Sequence, residues 1–136
     1  MVEVTTIFPW EIELAAPSRS VFFSAGRDRA PAIMCALKML SIRDAEGAIV
    51  LVAGVWLRHS SFELWVLLGK DFTKNVRANV RHAQEGFKLL KDEFSRLTCW
   101  TAENCLHHEK FAWWFGFHRI GAIEHGNVRY IIHGVN

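Results

Sequence analysis

Cysteine is scarce in this sequence. The three present, Cys35, Cys99 and Cys105, are odd in number and lack the spacing of a zinc site. That argues against a disulfide framework and fits a reducing cytoplasm. A long apolar run is also missing: the longest, Ala48 to Leu57, is about half of what a spanning helix needs. The first residues, Met1 to Phe8, include Glu3 and show no basic start followed by an apolar run, so no signal peptide is expected. An excess of one charge is lacking too. Lys and Arg number 16 and Asp and Glu 14, leaving a net charge of +2. This is too weak to argue for nucleic acid or an anionic membrane surface. No internal repeat, low-complexity run or Ser/Gly linker divides the 136 residues, so one domain spanning 1–136 is expected.

What is present is apolar material. Hydrophobic residues make up 51% and charged residues 22%, enough for a core and against disorder. A soluble, intracellular protein follows as the expectation. Pro9 can open a short helix to Ala16 that Pro17 stops, Ser18 to Gly26 suits a second helical turn, and Arg27 to Pro31 reads as a polar connection. Ala32–Arg43 reads as a strand, Asp44 to Gly47 as a turn, Ala48–Arg58 as a mostly buried strand and Phe62–Leu68 as another. Short turns between them make an antiparallel meander.

The period then changes. Thr73 can cap a helix to about Ser95, whose Val76, Val80, Ala83, Phe87, Leu90 and Phe94 form one apolar stripe. Arg96–Thr101 reads as a short buried strand and Leu106–Phe115 as a second helix ended by Gly116. His118–Glu124 and Val128–His133 are strands joined by the hairpin residues His125-Gly126-Asn127. The expected class is α/β, in the α+β sense of a mixed sheet with helices packed against it.

The order strand, strand, strand, helix, strand, helix, hairpin resembles the GNAT acetyltransferase fold over about residues 32–133. Glu103-Asn104 after the fifth of these elements and Phe115-Gly116-Phe117 closing the second helix carry the local likeness. The sequence also departs from the family pattern. The usual Gln/Arg-x-x-Gly-x-Gly/Ala loop cradles the coenzyme A pyrophosphate on backbone N–H groups at a helix N-terminus. Here the segment is Gly69-Lys70-Asp71-Phe72-Thr73-Lys74-Asn75, with one glycine and an acidic residue. The Tyr that serves many members as general acid is replaced by Ala112. Such degeneracy and the short length also resemble the small GNAT-like virion proteins of short-tailed phages, through His108, Phe111 and Gly116.

The resemblance gives roles to particular residues. Leu68, Gly69, Lys70 and Lys74 would lie at the pyrophosphate. Lys70, Lys74, Arg77 and Arg81, at steps of four, three and four, make one basic stripe near the start of the helix; a solvated helix face is the plainer reading. Glu63, or His59, would take the proton from the attacking amine, against the plainer readings of an edge Glu in water and a surface His. Trp65, Val66 and Leu67 are where two splayed strands would offer a backbone N–H to the thioester carbonyl. His108 is a substitute general acid one turn from Ala112, and Asn104 a hydrogen-bond partner for the pantetheine arm.

His107, His108 and Glu109 stand together, but adjacent helical residues point about 100° apart. No His-x-x-x-His or Cys-x-x-Cys occurs, so no metal is expected. Trp113 and Trp114 cannot both enter one core, which points to a protein partner, a homodimer or a substrate pocket. Cys99 and Cys105 read as buried small hydrophobes. The sequence thus implies transfer of an acetyl group from acetyl-CoA to an amine. The alternative is a GNAT-like structural or interaction protein that has lost catalysis, such as a virion component.

Overall fold

A computed structural model describes residues 4–6, 19–21, 33–58, 60–69 and 71–135. The elements are β1 (Val4–Thr6), β2 (Arg19–Val21), β3 (Lys38–Arg43), β4 (Ile49–Arg58), β5 (Ser61–Leu68), a 3₁₀ turn (Phe72–Asn75), α1 (Val76–Glu93), β6 (Thr98–Ala102), α2 (Leu106–Trp114), β7 (His118–His125) and β8 (Val128–Gly134). The strands form one eight-stranded mixed sheet in the order β1-β3-β4-β5-β6-β8-β7, with β2 on β5. All pairs are antiparallel except β5 with β6. The helix between those two strands is what allows them to run the same way.

Alternation along the strands sends side chains to two faces. On one, Leu40, Ile42, Leu51, Ala53, Val55, Leu64, Val66 and Cys99 meet Ala83, Phe87 and Leu90 of α1 and Phe111, Ala112 and Phe115 of α2. Phe115 locks the helices together, edge-on to Phe87 at 4.4 Å and to Phe111 at 4.6 Å. Side chains of α1 also satisfy the last carbonyls around α2: Gln84 Nε2 donates to Trp114 O at 2.9 Å and Lys91 Nζ to Phe115 O at 2.7 Å. On the other face lie Met39, Val52, Trp65 and Leu67, backed by Ile33, Ala36 and Trp56. Trp65 lies across Gly54, its cross-strand partner; a Cβ at residue 54 would sit 2.2 Å from the indole.

Several boundaries differ from the sequence expectation. The strand expected from Ala32 begins at Lys38, because residues 33–34 are helical. Ile33 and Ala36, one helical turn apart, pack together beside Met39 and Trp65, and that tertiary contact decides the ambiguity. Residues 19–21 form a strand on β5 and not a helical turn, since a partner edge outweighs local propensity. Thr73 is not a cap. It lies in the 3₁₀ turn, where Phe72 is buried and its carbonyl accepts from Asn79 Nδ2 at 2.8 Å, so α1 starts at Val76. α1 ends at Glu93, and β6 begins at Thr98 because Arg96 takes a left-handed φ of 56°. Gly116 ends α2 as expected, with φ 82°, and Gly126 and Asn127, both at positive φ, make the final hairpin turn. The readings over Pro9–Ala16 and Arg27–Pro31 lie outside the described residues.

Candidate functional site

The site follows from the one parallel pair. β5 and β6 bridge at a single residue pair, Glu63↔Thr98, supported by Thr98 Oγ1 donating to Phe62 O at 3.0 Å. Beyond that vertex the two strands part. From Val66 to Leu68 the outer edge of β5 pairs instead with β2, Val66↔Val21, Leu67↔Ser20 and Leu68↔Arg19. Trp65, Val66 and Leu67 are fully buried there.

Glu63 stands at the vertex, 1% exposed, on the face that carries Trp56 and Trp65. It does not point to water. Arg58, equally buried, donates from Nη1 to both of its oxygens at 3.3 and 3.2 Å. The guanidinium in turn lies 4.1 Å from the Trp100 ring and 5.5 Å from that of Trp56. Sequence reading missed Arg58, which carries no motif; only the antiparallel register, which aligns Trp56 with Glu63 and Arg58 with Ser61, brings it there. On the opposite face, burial and then the charge of Glu63 push the Cys99 thiol well up.

After β5 the chain turns at Gly69, whose N–H donates to Val50 O at 2.8 Å. A Cβ at residue 69 would lie 2.5 Å from Ile49 O, so this glycine serves the approach to β4. Lys70 and His59 lie outside the described residues. Lys74 is exposed and paired with Asp71 at 3.0 Å. The pocket that Lys74 lines together with Asp44, Glu46, Asp71, Asn79 and His82 sets three carboxylates against that one lysine, which opposes a pyrophosphate. Arg77 and Arg81 are exposed and in no ion pair among the described residues. With Val76, Val80, Gln84 and Trp114 they line a shallow groove between α1 and α2. The basic stripe is thus split, with Lys74 neutralised and the two arginines available.

The remaining candidates are dispersed. Asn104 is exposed in the turn after β6. His108 is half-buried on α2, and burial, then the neighbouring His107, hold its imidazole below the usual value. Ala112 is fully buried in the core. Trp113 and Trp114 are both exposed, at 53% and 52%. Cys35 is exposed and Cys105 only half-buried, against the buried reading of Cys105: it precedes α2 at the rim, where its N–H turns to Ala102 O. The sequence reading missed buried His133 and did not foresee that Glu109, weighed there only for a metal, is buried and ion-paired. His133 Nε2 lies 2.9 Å from Thr101 Oγ1, and Glu109 accepts from Arg119 at 2.6 Å. Among the described residues no cluster of His, Cys, Asp and Glu could hold a metal, and no helix is long and apolar enough to cross a membrane.

No family model and no curated protein sequence matches the chain. Solved structures do. An IAA acetyltransferase from Bacillus cereus superposes with a TM-score of 0.66 at 14% identity, over 99% of both chains. AAC(6')-Ib in complex with paromomycin and acetyl-CoA gives 0.69 at 11% identity, over 99% of this chain and 93% of that one. A spermidine N-acetyltransferase from Vibrio cholerae gives 0.66 at 10% identity, over 98% and 92%. The element order and the mixed sheet agree with these likenesses: the chain has the fold of the GNAT N-acetyltransferases.

Proposed function

We propose that the chain is an acyl-CoA-dependent N-acyltransferase in which an amine attacks the thioester directly. The observation that carries this reading is the single-pair contact of β5 and β6, followed by their divergence at Val66. A wedge of this kind admits an extended arm along a buried strand edge. It also offers backbone N–H groups, fixed in a water-poor interior, to the oxygen that gains charge; in other enzymes such a donor is worth about 2.7–4 kcal/mol. Arg77 and Arg81 fit the phosphates of the acyl carrier better than Lys74, which Asp71 neutralises.

The amine nitrogen forms its bond to the carbonyl carbon, the C–S bond breaks, and the thiolate leaves with the electron pair. Glu63, at the vertex, takes the proton that the ammonium must lose, with His59 as the second candidate; Arg58 fixes the carboxylate's position. Residue 112 offers no phenol to protonate the leaving thiolate, and Ala112 lies in the core. Free thiols titrate near pH 8.5, so the thiolate departs without one. The neighbours named for spermidine and for paromomycin suggest cationic amines as first acceptors to try. Release of free thiol from acetyl-CoA in the presence of spermidine or an aminoglycoside tests the reading. Micromolar binding without turnover leaves the acceptor to be found, and absence of binding at millimolar acetyl-CoA refutes it.

One observation favours the second reading, a catalytically degenerate structural or interaction protein, virion proteins included. The strand edge that the arm needs is already paired to β2. In that case the Trp113/Trp114 surface is the functional one, serving a partner protein or a second copy.

A further inference from the structure

Where β5 leaves β6, its backbone N–H and C=O groups lose their strand partner. Val66 and Leu67 are 0% and 1% exposed there, so water does not replace it. Buried backbone groups are almost always paired, and an open strand edge calls for an occupant. β2 fills that place over three residues, Arg19–Val21, antiparallel to Leu68–Val66. It differs from the other partners of β5. β4 pairs over the whole of β5, Leu51–Arg58 against Leu68–Ser61, and only two residues separate it from β5 in the sequence. β2 makes three pairs and reaches β5 from far along the chain, so it is short of the five or six residues of an average strand and the easier of the two to detach.

The acyltransferase reading asks a thioester arm to lie along the same backbone. One edge accepts one occupant, so arm and strand exclude each other. We propose that β2 is a built-in competitor for the arm: Arg19–Val21 closes the β5 edge in the free protein and must detach before an acyl carrier can pair with Val66–Leu68. The inference rests on the acyltransferase reading. It makes the binding-competent state a minor one, and apparent affinity falls by the fraction of molecules in which the edge is open.

Cysteines at opposed register positions test this in the full chain. Arg19→Cys with Leu68→Cys places two thiols on residues that face each other across the β2–β5 pair, where Cα atoms lie about 4.5–5.5 Å apart, within disulfide reach. Calorimetry with coenzyme A should show binding by the reduced variant, and affinity lower by about tenfold or more when the pair is oxidised. In the opposite sense, Ser20→Pro, which disrupts a short paired strand, should bind roughly tenfold more tightly than the natural chain. Equal affinity of the oxidised, reduced and Ser20→Pro proteins would overturn the competition and leave the acyltransferase reading standing. Failure of the natural chain and of Ser20→Pro to bind coenzyme A at millimolar concentration, with both folded by circular dichroism, would overturn both. β2 would then be a permanent strand of the sheet.

Discussion

Replacing Glu63 by Gln removes the candidate base, and it also breaks a buried ion pair. Arg58 and Glu63 have side chains 5% and 1% exposed. Loss of one partner from such a pair strands the other charge in the interior and costs about 3–5 kcal/mol. Gln keeps the volume and one acceptor, so the lower end, about 3 kcal/mol, is expected for Glu63→Gln. At roughly 2.1 cal/mol/K per residue near the transition, a chain of 136 residues should lose on the order of 10 °C in Tm. An activity assay on this variant alone would therefore mix two effects. The double variant Arg58→Met with Glu63→Leu separates them, since an apolar pair of similar size is often as stable as the ions it replaces. It should recover most of the lost stability, short of the Arg58–Trp100 stacking, worth about 0.5–2 kcal/mol. Thermal unfolding and thiol release, measured on the same preparations, give the answer. If Glu63 is the base, both variants lose about 10²-fold or more in rate while only the single variant loses Tm. A Glu63→Gln protein with natural Tm would refute the buried-pair argument. A double variant that is stable and fully active would remove Glu63 from the chemistry.

Arg77→Glu with Arg81→Glu should weaken coenzyme A binding about tenfold or more in calorimetry and leave Tm nearly unchanged, because exposed charges contribute roughly 0–1 kcal/mol; Lys74→Glu should do less, its charge already being met by Asp71. Burial, opposed by Glu109 and aided by Arg119, holds His133 below its usual 6.5. The unfolded chain then binds the proton first, so stability is fully present above about pH 6.5 and declines as pH falls through that value. His133→Gln should flatten the decline in Tm between pH 7 and 5, and an unaltered slope would assign it elsewhere. Gly54→Ala forces a methyl into the Trp65 ring and should cost about 1–3 kcal/mol in chemical denaturation, with partial recovery in Gly54→Ala/Trp65→Leu. Turnover should climb with pH to about 9 with no falling limb, since no Tyr donates at residue 112; a bell-shaped profile would point to another general acid, His108 first.

The alternation of apolar residues in Ala48–Arg58 and Phe62–Leu68, the stripe through Ala83, Phe87 and Leu90, and the turn residues Gly116, Gly126 and Asn127 determined the element order, and with it the fold. These signals are local, because side-chain period and backbone conformation act within a few residues. The tertiary structure decided what depends on distant partners. Residues 33–34 turn helical, and Ile33 and Ala36 pack on the surface that Met39 and Trp65 offer them. Glu63 is ion-paired because register carries Arg58 beside it, and nothing in either residue's neighbourhood announces the pair. The fate of the Val66–Leu68 edge is decided by a segment more than forty residues earlier in the chain. Backbone pairing is blind to side-chain identity, so no sequence pattern records which strand will take an open edge; only the fold brings the two together.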